Sequence, residues 1–171
     1  NWLSANIDYW QVRRSDRIYE LTAQQVVANY TTFPENLVRG ANGRLDGLGG
    51  YIRAGFVNAE GDVTEGVDVG VATNWKALQG KWTAEINGTY IDSFRSRVFA
   101  TQKYTETAGQ YNARDLFVRW KHTLKMSYET GPWTGSLNQY FTSGYKDEKP
   151  LGVIPPGFDP NVENYIRYDV S

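Results

Sequence analysis

A chain of 171 residues with 18 Lys and Arg against 19 Asp and Glu, one His and no Cys has no basic excess for holding nucleic acid, and it has no disulfide, thiolate metal site or cysteine nucleophile. Its mean hydropathy is −0.56, and no run approaches the roughly 18 apolar residues of a membrane helix. A membrane β-barrel is not excluded by this, because only alternate residues of its strands meet lipid.

The six Trp and twelve Tyr suit strands and also lipid–water interfaces. Strict alternation then marks the strands in chain order, since successive side chains of a strand point to opposite faces. The first run sets Leu3, Ala5, Ile7 and Tyr9 against Ser4, Asn6 and Asp8, with Trp10 interrupting the polar set. A long connection follows, about residues 15–64. Within it Thr22-Ala23-Gln24-Gln25 reads as a capping box and predicts a short helix over 23–29. Asn42-Gly43 offers a turn, residues 47–50 are glycine-rich, and residues 51–58 return as β-structure above the membrane.

The second run sets Val67, Val69, Val71 and Trp75 against Gly66, Asp68, Gly70, Ala72 and Asn74. A short link at 76–81 leads to the third, with Trp82, Ala84, Ile86, Gly88 and Tyr90 against Thr83, Glu85, Asn87 and Thr89. After a long link, 96–115, the fourth sets Leu116, Val118, Trp120, Leu124, Met126 and Tyr128 against Arg119, Lys121, Thr123, Lys125 and Ser127. The turn Glu129-Thr130-Gly131-Pro132 has the residues turns prefer. The fifth run sets Trp133, Leu137, Phe141 and Tyr145 against Thr134, Ser136, Asn138 and Thr142; after 146–164 a sixth begins near Tyr165.

Short and long connections therefore alternate, as periplasmic turns and extracellular loops do in outer-membrane barrels. Trp82 and Tyr90 stand eight residues apart on one face, as do Trp120 and Tyr128. At about 3.3 Å per residue and a tilt near 40°, that span covers roughly 20 Å of membrane normal, close to the apolar band of a barrel. Trp75, Trp82, Tyr128 and Trp133 would form the belt beside the turns, and Tyr9, Tyr90, Trp120 and Tyr145 the belt beside the loops. The expected fold is an antiparallel, up-and-down transmembrane β-barrel segment of five complete strands and the start of a sixth. Both ends of the chain fall inside strand patterns, so residues 1–171 read as a partial barrel domain. A soluble β-sandwich binding carbohydrate through an aromatic face produces the same alternation and stays open as the rival.

Asp8-Tyr9-Trp10 followed by Asp16-Arg17-Ile18 resembles the strand-to-loop passage of TonB-dependent outer-membrane receptors. Asn58 with Glu65-Gly66-Val67-Asp68-Val69 is similar to that family's returning strand. The order after it, a short turn, a strand over 82–92, a long loop and then Ala113-Arg114-Asp115, also matches. The resemblance spans nearly the whole chain and rests on pattern and short motifs, with no single diagnostic signature. It implies a 22-stranded barrel in the bacterial outer membrane, a plug domain and closing strands outside this chain, and import of a scarce ligand such as an iron-siderophore, cobalamin or a sugar. The implied partners are that small molecule at the extracellular loops, outer-membrane lipid and lipopolysaccharide, and TonB through the N-terminal part of the parent. A porin-like passive channel is the alternative within the same membrane class.

No catalytic, cofactor or metal site is expected, and the chain is not read as an enzyme. His122 shares the apolar face with Trp120 and Leu124, which gives no support to a histidine triad and leaves it as a polar spot on the outer wall. Asp8, Asp68, Glu85, Arg119, Lys121 and Lys125 are assigned to the lumen, the carboxylates with no motif for an acid–base pair and the three bases chiefly as solvated wall, with guidance of anions as the sharper alternative. Asp46 and Asp62 lack the acidic spacing of a calcium loop. At the loops, Arg14, Arg17, Arg95 and Arg97 are the candidates to meet an anionic ligand, with lipopolysaccharide phosphate or water as the plainer occupants. An outer-membrane protease or lipase is a further rival, to be judged by substitution of His122 and the lumen carboxylates.

Overall fold

The computed structural model describes residues 2–112, 115–148 and 155–171. The described residues are all-β with antiparallel sheets, one short α-helix and a 3₁₀ turn at Pro34–Asn36. Six strands form a meander: β1 (Leu3–Glu20), β2 (Phe56–Ala77), β3 (Gly80–Arg97), β4 (Trp120–Thr130), β5 (Trp133–Thr142) and β6 (Tyr165–Val170). They lie side by side in sequence order, and Thr105–Glu106 adds a short piece beside β3. No closed barrel forms among the described residues. Two compact units divide the chain: a sheet unit of residues 1–13, 62–96 and 104–171, and a loop unit of residues 14–61 and 97–103.

In the sheet unit the register keeps the two side-chain sets apart. One face carries the rows Ala84–Met126–Leu137–Val170, Ile86–Leu124–Gln139–Tyr168 and Gly88–His122–Phe141–Ile166. The other carries Thr83–Ser127–Ser136, Glu85–Lys125–Asn138–Asp169 and Asn87–Thr123–Tyr140–Arg167. A slip of one residue in any strand would exchange the faces. None of the large apolar side chains on the first face is buried. The buried apolar residues of this unit, Val63, Phe94, Ala108 and Val118, lie at its loop end, where the Phe94 and Phe117 rings stack with centroids 4.0 Å apart.

Aromatic rings sit on glycines in both faces. Trp10 lies over Gly66, whose added Cβ would come within 2.5 Å of the indole; this accounts for the large ring in the polar set of β1. Trp120 covers Gly88 on the apolar face in the same way. At the turn end, Trp75 stacks on Trp82 at 6.0 Å and Trp82 meets Tyr128 at 4.6 Å. At the loop end Tyr90 and Trp120 are cross-strand partners. Tyr145 departs from the expected belt: it lies beyond β5, in a two-residue ladder with Val162, and its ring neighbours Tyr111 at 6.4 Å.

The fourth strand starts later than its alternation suggests. Asp115–Leu116 pairs with Tyr111–Asn112 in a separate ladder, Gly109 N–H donates to the Phe117 carbonyl, and Val118 is buried. Leu116, Val118 and Arg119 therefore stand outside β4. Residues 113 and 114 of the Ala113-Arg114-Asp115 motif lie outside the described residues, as does Asn1.

The loop unit contains the helix Ala23–Ala28, with the reciprocal Thr22–Gln25 capping box in place. Its core is Leu21, Val26 and Ala59. Leu37–Val38 pairs with Tyr51–Ile52, Gly43 supplies a left-handed turn residue with φ 74°, and Phe33 meets Phe99 at 5.2 Å. Here β1 and β2 run further than expected, to Glu20 and from Phe56. Alternation fades where both faces meet water, as along residues 11–16, and where both are buried, as along residues 61–64, but backbone pairing does not require it.

Two tight turns close the short connections. Gly131 takes φ 54° ahead of Pro132, as a turn with a glycine first central residue requires. The other turn places Leu78 and Gln79 at φ 53° and 59°, a conformation that costs non-glycine residues about 1 kcal/mol or more each. Tyr128 Oη donates to the Leu78 carbonyl at 2.5 Å and Thr130 to that of Gln79 at 3.3 Å, which holds the strained pair. Replacing it by Asn-Gly (Leu78→Asn with Gln79→Gly) is expected to raise unfolding stability by about 1 kcal/mol. Urea or thermal unfolding of the double variant checks this; an unchanged midpoint would mean the turn is unstrained.

Candidate functional site

The polar face of the sheet unit gathers most of the chemistry that the sequence singles out. Lys121 and Thr89 are direct cross-strand partners, and Thr89 Oγ1 donates to Asp68 Oδ1 at 2.6 Å. Asp68 and Lys121 thus flank Thr89 and line one hollow with Asn6, Asn87 and Tyr140. Gly70 lets the Asn6 and Asn87 amides lie against the floor of the hollow, where a Cβ would run into them. Glu85 and Lys125 are opposite each other in register and line a second hollow with Ser4, Asn74 and Ser127. Glu85 accepts from Asn87 Nδ2 at 2.6 Å. Asp8 accepts from Asn6 Nδ2 at 3.2 Å on the same face.

In the middle of this face the charges are sorted by strand, whereas at its turn end Lys81 of β3 stands opposite Glu129 of β4. Asp8, Asp68 and Glu85 come from β1, β2 and β3, whereas Lys121 and Lys125 come from β4. Arg167 of β6 lies over the Tyr140 ring at 4.4 Å and pairs with Asp169 at 3.1 Å. Among the described residues no ion pair joins Lys121 or Lys125 to an acid.

Arg119 belongs elsewhere. It precedes β4 and donates from Nη1 to the Asp92 carbonyl at 2.6 Å and the Ile91 carbonyl at 3.4 Å, tying the loop end of β3 to β4. Arg95 is engaged too: its Nη2 lies 2.5 Å from Glu65 Oε1, which also accepts from Gln11 Nε2 at 2.7 Å. In the loop unit Arg97 pairs with Glu60 at 3.1 Å and donates to the Ala100 carbonyl at 3.3 Å. Arg14 and Arg17 lie in the part of β1 belonging to that unit, and neither is without a partner. Asp46 is held below the ordinary carboxylate range by its two hydrogen bonds from Arg44, at 2.8 and 2.9 Å. Asp62 is buried in β2.

His122 sits on the apolar face inside a directed chain of hydrogen bonds. Trp120 Nε1 donates to His122 Nδ1 at 2.8 Å, which leaves Nε2 as the donor to Gln139 Oε1 at 3.2 Å. Gln139 Nε2 then donates to Tyr168 Oη at 2.8 Å. Phe141 stacks on the imidazole at 5.0 Å. The contacts described for His122 include no carboxylate and no hydroxyl nucleophile. Gln139 and Tyr168 went unnoticed in the sequence, although their odd–even positions place them opposite each other once the register is known.

Glu106 is the other group that sequence reasoning passed over. Its carboxylate accepts from Ser93 Oγ at 2.6 Å, Phe94 N–H at 3.0 Å and Ala108 N–H at 2.8 Å, clasping the Phe94–Phe117 stack to the loop. Burial by itself would raise its pKa, but the Ser93, Phe94 and Ala108 hydrogen bonds and the Arg119 charge together bring it below the ordinary carboxylate range.

No protein-family model, curated protein or solved structure matches the chain.

A carboxylate with a depressed pKa contributes stability that is present above its unfolded value and lost as pH falls through the folded one. Protection of the Phe94 and Ala108 amides from hydrogen exchange is therefore expected to fall on acidification across that interval. Glu106→Gln should remove this acid step. Persistence of the step in the variant would assign it to another carboxylate.

Proposed function

We propose that the chain is a stretch of wall in a bacterial outer-membrane β-barrel, of the TonB-dependent receptor kind, that carries a scarce ligand inward past a movable plug. The observation that carries this reading is the uncovered apolar face. A sandwich buries its inner face against a second sheet, but here every large apolar side chain between the two aromatic ends keeps accessible surface. A patch of this extent marks a membrane or protein contact, and its aromatic ends fit the girdles of a barrel wall. The opposite face, with its carboxylates, ammonium groups and amides, suits a water-filled lumen. Both outer edges of the meander, β1 and β6, lack a neighbour among the described residues, which suits neighbouring strands of a larger wall.

The receptor reading adds ligand recognition at the loops and rests on the sequence motifs named above. Work of this kind is binding and gated passage, with no covalent step.

Single cysteines bearing an environment-sensitive fluorophore, placed in the full-length protein in bilayers, test the wall. Positions 86, 124 and 126 are expected to report hydrocarbon, and positions 87, 123 and 125 water. Shielding of the first set by protein, with solubility in the absence of detergent, would replace the wall by a sandwich. The receptor reading has its own test. Uptake dependent on this protein, whether of a ferric siderophore, cobalamin or an oligosaccharide, should fall to background in cells lacking TonB; undiminished uptake would assign a passive channel.

A further inference from the structure

We propose that the polar face binds a zwitterionic solute of short-peptide length, with its ammonium end at Asp68 and its carboxylate end at Lys121. The inference rests on the reading that this face lines a water-filled lumen, and it names the class of solute that the wall would handle.

Three features of the first hollow lead there. Its charges are opposite in sign, come from different strands and do not neutralise each other. Asp68 is held by Thr89, and Lys121 stands on the far side of Thr89. Two strand spacings separate their backbones, roughly 10 Å, so the two charges are offered at a distance from each other. An extended peptide advances about 3.3 Å per residue, so a tripeptide carries its terminal charges across about that distance. Beside the line joining the two charges stand Asn87 of β3 and Thr123 of β4, and beyond its ends Asn6 of β1 and Tyr140 of β5; these are neutral donors and acceptors, the groups that peptide N–H and C=O require.

Other ligand classes fit less well. An anion would be drawn to Lys121 but repelled by Asp68, and a cation the reverse. A neutral saccharide would hydrogen-bond both groups through its hydroxyls but would match neither with an opposite charge. The second hollow repeats the polarity, acid on β3 and base on β4, in Glu85 and Lys125. It lies four residues along β4 from the first, about 13 Å, but its acid and base face each other on adjacent strands, roughly 5 Å apart, so it is a narrower station than the first.

The test is calorimetric titration of the full-length protein with trialanine, N-acetyl-trialanine and trialanine amide. Trialanine is expected to bind, and blocking either end should weaken binding at least about tenfold, as loss of one charge-assisted contact does. Asp68→Asn should erase the discrimination against the acetylated peptide, and Lys121→Gln the discrimination against the amide. Equal binding of all three peptides, or binding of none, would overturn the proposal. So would variants that lower the melting temperature but leave discrimination intact, because the charges would then serve contacts within the protein. A cysteine at Ser136, outside the first hollow but on the same face, separates the two levels of inference. If a membrane-impermeant maleimide labels it while trialanine fails to bind, only the solute assignment falls; if its environment is hydrocarbon, the wall reading falls with it.

Discussion

The rest of the structure depends on the strict separation of two side-chain sets by a single antiparallel register. In Ala84–Met126–Leu137–Val170 and the neighbouring row Glu85–Lys125–Asn138–Asp169, adjacent residues of each strand share no chemistry, yet each row across strands is coherent. An apolar side chain that keeps part of its surface accessible forgoes a corresponding part of the roughly 1.5–3 kcal/mol that full burial gives. A sheet that leaves an entire face of them accessible is stable in water only if something else covers that face. In the proposed barrel that role falls to lipid, and the same separation leaves the charged set to the lumen.

Several local devices pin the register that this separation requires. Hydroxyl pairs mark the turn end of the polar face, where Thr83 bonds Ser127 and Ser136 bonds Ser171. Trp10 on Gly66 and Trp120 on Gly88 put the largest side chains against residues with none, so a shifted strand would meet a Cβ where it now meets space. The chain through Trp120, His122, Gln139 and Tyr168 ties β4, β5 and β6 on the apolar face while satisfying each member in turn. This matters in an apolar surround, where an unpaired polar group is costly. His122 is thus accounted for as part of a hydrogen-bonded seam.

The regular part of the fold was legible because period-two alternation is a direct consequence of strand geometry. The runs at 3–10, 67–75 and 82–90 lie inside the observed strands, the fifth run does so as far as Thr142 but not to Tyr145, and the Thr22–Gln25 capping box is present. Reading stopped where geometry ceased to be periodic. Leu116 and Val118 continue the alternation of β4 on paper, but a local ladder with Tyr111–Asn112 and the buried Phe94–Phe117 stack take that segment out of the strand. Leu78-Gln79 carries no turn signature, so a two-residue turn there could be inferred only from the strands on either side. The polar-face residues Asp68, Glu85, Lys121 and Lys125 were legible one at a time from parity. Their grouping into two hollows was not, because it depends on register between strands. Glu106 gave no signal, since a carboxylate that clasps three donors across a loop has no characteristic spacing.

The placement of the buried residues bears on how such a wall divides its tasks. Within the sheet unit, the buried apolar side chains Val63, Phe94, Ala108 and Val118 all lie at the loop end, and there the Glu106 clasp and the Arg119 contacts to Ile91 and Asp92 are found. The regular band below has open faces and few side-chain bonds that cross more than one strand. Its stiffness comes from the backbone ladder, whose hydrogen bonds do not depend on side-chain identity. Lys121 and Lys125 on the polar face are consequently spared structural duty and, among the described residues, form no ion pair with Asp68 or Glu85. In a soluble core, unpaired charges like these would be destabilising. On a solvated wall they cost little, and they leave the protein free to vary what it binds without disturbing how it folds.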